Sequence, residues 1–143
     1  MTDLRLHGLS DTPNTTKALV VAAIAGVSVD TVAATLGKTN KAADFVAKFP
    51  FGKVPALETE HGPVFESNAI AHYIAAAHAP ALLGAGPYQQ ALVVQWICSA
   101  DCELLPAVSR VIYPLLGYAS FDAAEHKAAI AALMEKLAIY DGV

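Results

Sequence analysis

The chain predicts an α/β domain followed by an all-helical one. Three observations carry this reading. Strand-like and helix-like segments alternate as far as Pro80, a Glu60-His61-Gly62 turn joins two short extended pieces, and beyond Pro87 the apolar residues recur only at helical spacing. A length of 143 residues suffices for one average domain or two small ones with a buried core. With 55% hydrophobic and 15% charged residues the chain is not disordered, and it carries more apolar surface than a lone domain this short needs. The net charge of −4, with nine Lys and Arg together, provides no cationic footprint for a phosphate backbone. Nucleic acid is therefore excluded as a direct ligand.

Leu4 and Leu6 alternate with polar neighbours and predict a first strand, which ends in the turn-forming run from Gly8 to Asn14. Lys17 to Ala25 is a helix of small and branched residues stopped by Gly26. Val27, Val29 and Val32 predict a second strand, and after the polar Lys38-Thr39-Asn40-Lys41 segment Ala42 to Lys48 forms a short helix. Ala56 to Thr59 and Pro63 to Phe65 make a hairpin. Ser67 is placed at the N-cap of a helix that carries Ile70, Tyr73, Ile74 and Ala77 and stops at Pro80. The order βαβαββα over residues 1–80 is that of a thioredoxin-like fold.

Residues 81–86 link this domain to a partial helical domain spanning 87–143. Pro87 suits a first helical turn, and Val93, Trp96, Ile97, Ala100 and Leu104 follow at helical spacing until Pro106 and Pro114 kink or end the helix. Asp122 with Glu125 reads as a capping box, and Ile130, Leu133, Met134 and Leu137 form an apolar stripe behind it. Two helices cannot cover every apolar face they bring. Either exposed apolar surface remains for a partner, or the chain is a fragment that stops as its last helix completes.

Other residues have plain explanations. Cys98 and Cys102 lie four apart in a helical stretch, without the count or spacing of a disulfide framework or a zinc site, and are read as reduced, buried thiols. The five histidines show no metal-ligand spacing, so no metal is expected. Trp96 reads as core, and Asp101 as a carboxylate facing a dimer cleft. No leader-type apolar run opens the chain, and Gly84, Gly86 and Pro87 break the weakly charged stretch from Leu82 to Ala100. A cytoplasmic protein without a membrane span is the expectation.

The segments Gly52-Lys53-Val54-Pro55 and Glu66-Ser67-Asn68-Ala69-Ile70 resemble the glutathione transferase superfamily, and together with Lys38-Thr39-Asn40-Lys41, Phe45, Lys48-Phe49-Pro50 and Phe65 they are similar to its elongation-factor branch. The Thr39-Asn40 segment, the Val93-Val94-Gln95-Trp96-Ile97 run with Ala100-Asp101, and Tyr113-Pro114 with Leu116-Gly117 resemble the transferase-like region of the gamma subunit of eukaryotic translation elongation factor 1 (1B complex). The likeness covers nearly the whole chain and is weakest over residues 1–35. A full-length relative continues into further helices and a separate C-terminal domain, so the resemblance implies a truncated version.

What the resemblance implies about the site is specific. Val54 offers its backbone N–H and C=O to the cysteine moiety of glutathione, as an added strand does. The Val54–Pro55 bond is expected to be cis, a form that costs only about 0.5–1 kcal/mol before proline. Dipeptide statistics alone favour an ordinary trans bond roughly nine times in ten. Ser67 at the helix mouth meets the γ-glutamyl carboxylate, Glu66 the ammonium group, and Lys53 or Asn40 the glycine carboxylate. The plain alternative is a Ser67 that merely caps its helix beside solvated Glu66, Lys53 and Asn40.

Catalysis by this superfamily needs a hydroxyl or thiol after the first strand. Lowering a thiol pKa from about 8.5 to about 6.5 takes roughly 2.7 kcal/mol, within the roughly 1.5–3 kcal/mol of one hydrogen bond to an anion. Ser10 is the candidate, with Thr12 next, although Ser10 to Asn14 reads equally as a turn with Asx and Ser caps. The function implied is non-catalytic: a docking and dimerisation module that anchors the nucleotide-exchange subunits of the elongation factor 1 complex, with glutathione as a ligand and no resident cofactor. The alternative is an active transferase that conjugates a low-molecular-weight thiol to electrophiles.

Overall fold

The computed structural model describes residues 4–142. Two compact units divide after Gly86. In the first, β1 (Arg5–Gly8), β2 (Asp30–Ala33), β3 (Ala56–Thr59) and β4 (Gly62–Phe65) form one mixed sheet in the order β2-β1-β3-β4. β1 runs parallel to β2 and antiparallel to β3, with Leu6 opposite Thr31 on one side and Leu57 on the other. The parallel pair is joined by α1 (Pro13–Ile24), as a parallel connection requires. β3 and β4 close a hairpin over Glu60 and His61, where the Thr59 hydroxyl donates to the Gly62 carbonyl and accepts from the His61 N–H.

Alternation along β1 decides which face is core. Leu4 and Leu6 point to the layer that holds α1 and α3 (Ser67–His78), where they pack with Ala18, Ala22, Leu57, Ile70 and Ile74. His7, one residue on, points to the other face and meets Phe45 and Phe49 at α2 (Ala43–Lys48). A four-stranded mixed sheet with α1 and α3 on one face and α2 on the other is a thioredoxin-like arrangement.

Two boundaries differ from the expectation by more than one residue. α1 starts at Pro13, not Lys17, because proline at the first helical position loses no hydrogen bond and presets φ. β2 starts at Asp30. Val27 and Val29 pack on the core as an extended lead-in, with the Val27 N–H bound to the Ala22 carbonyl.

In the second unit α4 (Pro87–Ser99), a π turn (Ala100–Leu104) and α5 (Leu105–Leu115) form one continuous helical run. Pro106 was expected to kink or end it. The run does not end there: the Leu105 N–H bonds back to Ala100, five residues away, and this widened turn makes room for a ring that has no N–H to offer Cys102. Pro114 sits in the last turn, and the helix stops at Gly117, with φ +76. There Tyr118 N–H reaches the Tyr113 carbonyl and Gly117 N–H the Pro114 carbonyl, a Schellman stop with the Tyr113 and Tyr118 rings 5.8 Å apart.

α6 (Ala123–Asp141) is capped by Asp122, which accepts from the N–H groups of Ala124 and Glu125 at 2.9 Å. It meets the long run at Tyr140, whose ring lies 5.7 Å from Trp96, and at Lys136, which pairs with Glu103.

Burial in this unit corrects two expectations. Cys98 and Cys102 are free but exposed, and Trp96 is 43% exposed rather than core. One seam between a helical run and α6 cannot enclose side chains on the other faces. By length and composition alone the 29-residue run Pro87–Leu115 would suffice to cross a membrane, although it carries Asp101, Glu103 and Arg110 and packs on α6.

Candidate functional site

A cleft of about 150 Å³ opens where three chain segments of the first unit converge. Asn14 comes from the first turn of α1, Phe49 and Phe51 to Pro55 from the segment between α2 and β3, and Phe65, Glu66 and Ser67 from the β4–α3 junction. Lys53, Val54, Pro55, Glu66 and Ser67 are thereby brought together. Asn40 and Ser10 stand outside the lining.

The middle segment is shaped by Gly52 and Pro55. Gly52 has φ +55, and a Cβ there would lie 2.7 Å from the Asn40 carbonyl oxygen, so only glycine fits. Asn40 is buried and holds this turn: its Nδ2 donates to the Gly52 carbonyl at 2.7 Å, and its Oδ1 accepts from the Gly37 N–H at 2.7 Å. Asn40 thus shapes the wall from behind. The Val54–Pro55 peptide bond is cis. Val54, half-buried on the cleft wall, makes no backbone hydrogen bond among the described residues, which leaves an N–H and a C=O on the wall for another strand-like chain.

At the β4–α3 junction the expectation of a Ser67 cap is corrected. Glu66 is the N-cap, with φ 70 and ψ 122, and its side chain makes no capping bond. Positive φ is uncommon outside glycine and costs about 1–3 kcal/mol, so such strain clusters where backbone must be aimed. Ser67 is the first helical residue. Its hydroxyl accepts from Lys17 Nζ at 3.2 Å and lies 3.4 Å from Asn14 Oδ1. α1 is likewise without a side-chain cap at Thr12.

The positive ends of α1 and α3 therefore meet at the cleft, cross-linked through Asn14, Ser67 and Lys17, with Lys53 in the same lining. Such a site favours a ligand with a carboxylate or another anion at this end. Phe51 and Phe65, with ring centroids 5.6 Å apart, supply an apolar rim.

Asn14 and Lys17 escaped the sequence reading. Pro13 is the signal that could have found them. Placed at the first helical position, it puts Asn14 in the opening turn and Lys17 one turn further on the same side. Ser10 lines a separate depression with Gly8, Leu9, Asp11, Thr12 and Thr31, on the β2 side of the loop. Thr12 donates to the Leu9 carbonyl at 3.1 Å and lies 3.0 Å from the Thr15 hydroxyl. Among the described residues no group of three or more His, Cys, Asp or Glu side chains could hold a metal ion.

Comparison with known proteins bears on the family and the fold. The chain is 40% identical over 136 residues to elongation factor 1-gamma 2 of Oryza sativa subsp. japonica, matching 94% of this chain and 32% of that protein. It is 42% identical over 106 residues to elongation factor 1-gamma of Homo sapiens, matching 71% of this chain and 24% of that protein. The chain thus spans about a third or less of the length of these curated relatives. Among solved structures, the theta class glutathione S-transferase of Xanthomonas axonopodis pv. citri, with glutathione bound, superposes with a TM-score of 0.88 at 28% identity. That superposition covers 99% of this chain and 70% of the transferase. The family model of the glutathione S-transferase N-terminal domain matches residues 2–76, more than half of the sequence, and the chain belongs to that family.

Proposed function

We propose that this chain is the glutathione-transferase-like part of an elongation factor 1-gamma-type subunit, keeping a site for glutathione or a related γ-glutamyl thiol. Its role is docking: it anchors the nucleotide-exchange subunits of the elongation factor 1 complex, as a cytoplasmic homodimer. The likeness to the rice and human gamma subunits supports the branch. The ligand rests on one observation: the unpaired backbone of Val54 faces the same cleft as the uncapped mouth of α3.

The chemistry follows the atoms. The γ-glutamyl carboxylate takes the Ser67 hydroxyl and the opening N–H groups of α3, and Glu66 takes the ammonium group. The cysteine moiety pairs with the Val54 N–H and C=O as an added strand. Lys53 faces the glycine carboxylate, and Asn40 acts through Gly52 rather than by contact. Titrating glutathione calorimetrically tests this. Saturable binding is expected, weakened at least tenfold by Glu66→Ala and by Ser67→Ala; heat no greater than dilution would overturn the ligand assignment. For docking, the exchange-factor subunit should co-purify with this chain, and its failure to do so would remove the scaffold role.

The likeness to a transferase with glutathione bound favours a second reading, active conjugation of a thiol to electrophiles. The hydroxyl in the cleft lining is that of Ser67, already bonded to Lys17, while Ser10 lines the neighbouring depression. Binding and docking are therefore the favoured reading. If conjugation is measurable with a chromogenic electrophile, Ser10→Ala should slow it at least tenfold, and an unchanged rate removes Ser10 from the mechanism.

A further inference from the structure

We propose that Glu58 is a positioning residue for the cleft, holding α2 and the wall from Phe49 to Gly52 in place from the far face of the sheet. The effect on affinity rests on the glutathione reading above; the effect on α2 does not.

α2 has six residues, none of them buried, and so short a helix does not persist without tertiary contacts. A cavity of about 260 Å³ lies between it and the strands, so it is not packed flush on the sheet. Ring contacts and charged hydrogen bonds tie it to the sheet. Phe45, with Phe49 just past the helix end, rests against the His7 ring at centroid distances of 5.5 and 6.1 Å. Lys48 Nζ donates to Glu58 Oε2 at 2.7 Å, while His7 Nε2 donates to Oε1 of the same carboxylate at 2.6 Å. Glu58 on β3 thus uses both oxygens, one to hold the ring on which the phenylalanines rest and one to hold the helix end.

The remaining charges nearby do not substitute for it. Arg5, opposite Glu58 in the β1–β3 register, is a cation and pairs with Asp30, and Asp44, though also a carboxylate, sits on α2 itself, where its Oδ1 accepts from the Phe45 N–H. The connection to the cleft is short. Phe49 is buried and lines the cleft, its carbonyl accepts the Gly52 N–H at 2.8 Å, and Lys53 and Val54 follow directly. Ahead of α2, Asn40 and Lys41 bond the carbonyls of Gly52 and Phe51. A shift of α2 therefore moves the Val54 backbone.

The test compares wild type, Glu58→Gln and Glu58→Asp in the whole chain by glutathione calorimetry, alongside hydrogen exchange without ligand. Glu58→Gln should weaken binding about five- to tenfold at neutral pH and speed exchange over residues 43–52 by a similar factor, with Glu58→Asp restoring part of both. Wild-type affinity should fall on acidification below about pH 4.5, the ordinary range for a glutamate, more steeply than that of Glu58→Gln. Unchanged exchange in Glu58→Gln, or faster exchange with unchanged affinity, overturns the proposal. Faster exchange in a protein whose wild type ignores glutathione supports the hold on α2 and sinks the ligand reading instead.

Discussion

Residues 4–86 and 87–142 are both rich in apolar residues and put them to different ends. In the first unit a sheet between two helical layers encloses Leu6, Leu57, Ile70 and Ile74 so fully that none is more than 1% exposed. In the second, Ala107 and Ala129 are the buried hydrophobic residues, while Leu115, Met134 and Ile139 are at least 60% exposed. A sheet gives each strand two faces to cover and a register that fixes which residue goes where. A helical run against one further helix has a single seam, and the rest of each stripe meets solvent. The difference teaches that apolar periodicity specifies which residues seek burial, while layer count decides whether they find it.

Substitutions should break that comparison unevenly. Leu57→Ala in the closed core should cost about 2–5 kcal/mol in urea unfolding, whereas Met134→Ala should stay within about 0.5 kcal/mol. An equal cost at both positions would mean that the helical unit has a core of its own. Gly52→Ala comes next. Its positive φ alone costs about 1–3 kcal/mol, and its Cβ would strike the Asn40 carbonyl, so stability and glutathione binding should fall together.

Asn40→Ala should destabilise by about 1–3 kcal/mol, since it strands the buried Gly52 carbonyl and the Gly37 N–H. Acid is a gentler probe. Hydrogen bonds from Lys48, then from His7, hold the Glu58 carboxyl below its ordinary 4.5 and outweigh its partial burial. Its ionised form is therefore favoured by folding: the contribution is complete above about pH 4.5 and is lost as pH falls through the lower folded value. Stability curves of wild type and Glu58→Gln should converge on acidification. Smallest of all is Lys136→Met, which frees the fully exposed Glu103 and should leave the unfolding midpoint unmoved.

The first unit could be read closely from sequence because its signals are local and agree. Alternating Leu4 and Leu6, the short turn at His61 and the periodic Ile70, Ile74 pair each point to one element, and the sheet order follows from how they pair. Glu66 could not be read this way: nothing in the residue type announces a φ of 70, so Ser67 was placed one position too early in the helix. Asn40 presented a polar side chain in a polar run, and only the fold shows that both its ends are occupied by Gly37 and Gly52.

In the second unit the failures share one cause. Trp96 on an apolar helix face and Cys98 and Cys102 as reduced thiols in a helical stretch are all expected to be buried, but burial needs a facing surface as well as a stripe. Sequence alone leaves Pro106 to kink or end the helix, because the widened turn that carries the run past it depends on backbone geometry, not on residue type.

Amide chemical shifts followed during a glutathione titration test the central claim most directly. Saturable shifts concentrated at Asn14, Lys53, Val54, Glu66 and Ser67, with the Val54 amide moving as it gains a partner, are the predicted result. Saturation without shifts at those amides, or shifts confined to the Ser10 loop or to residues 87–142, would contradict it.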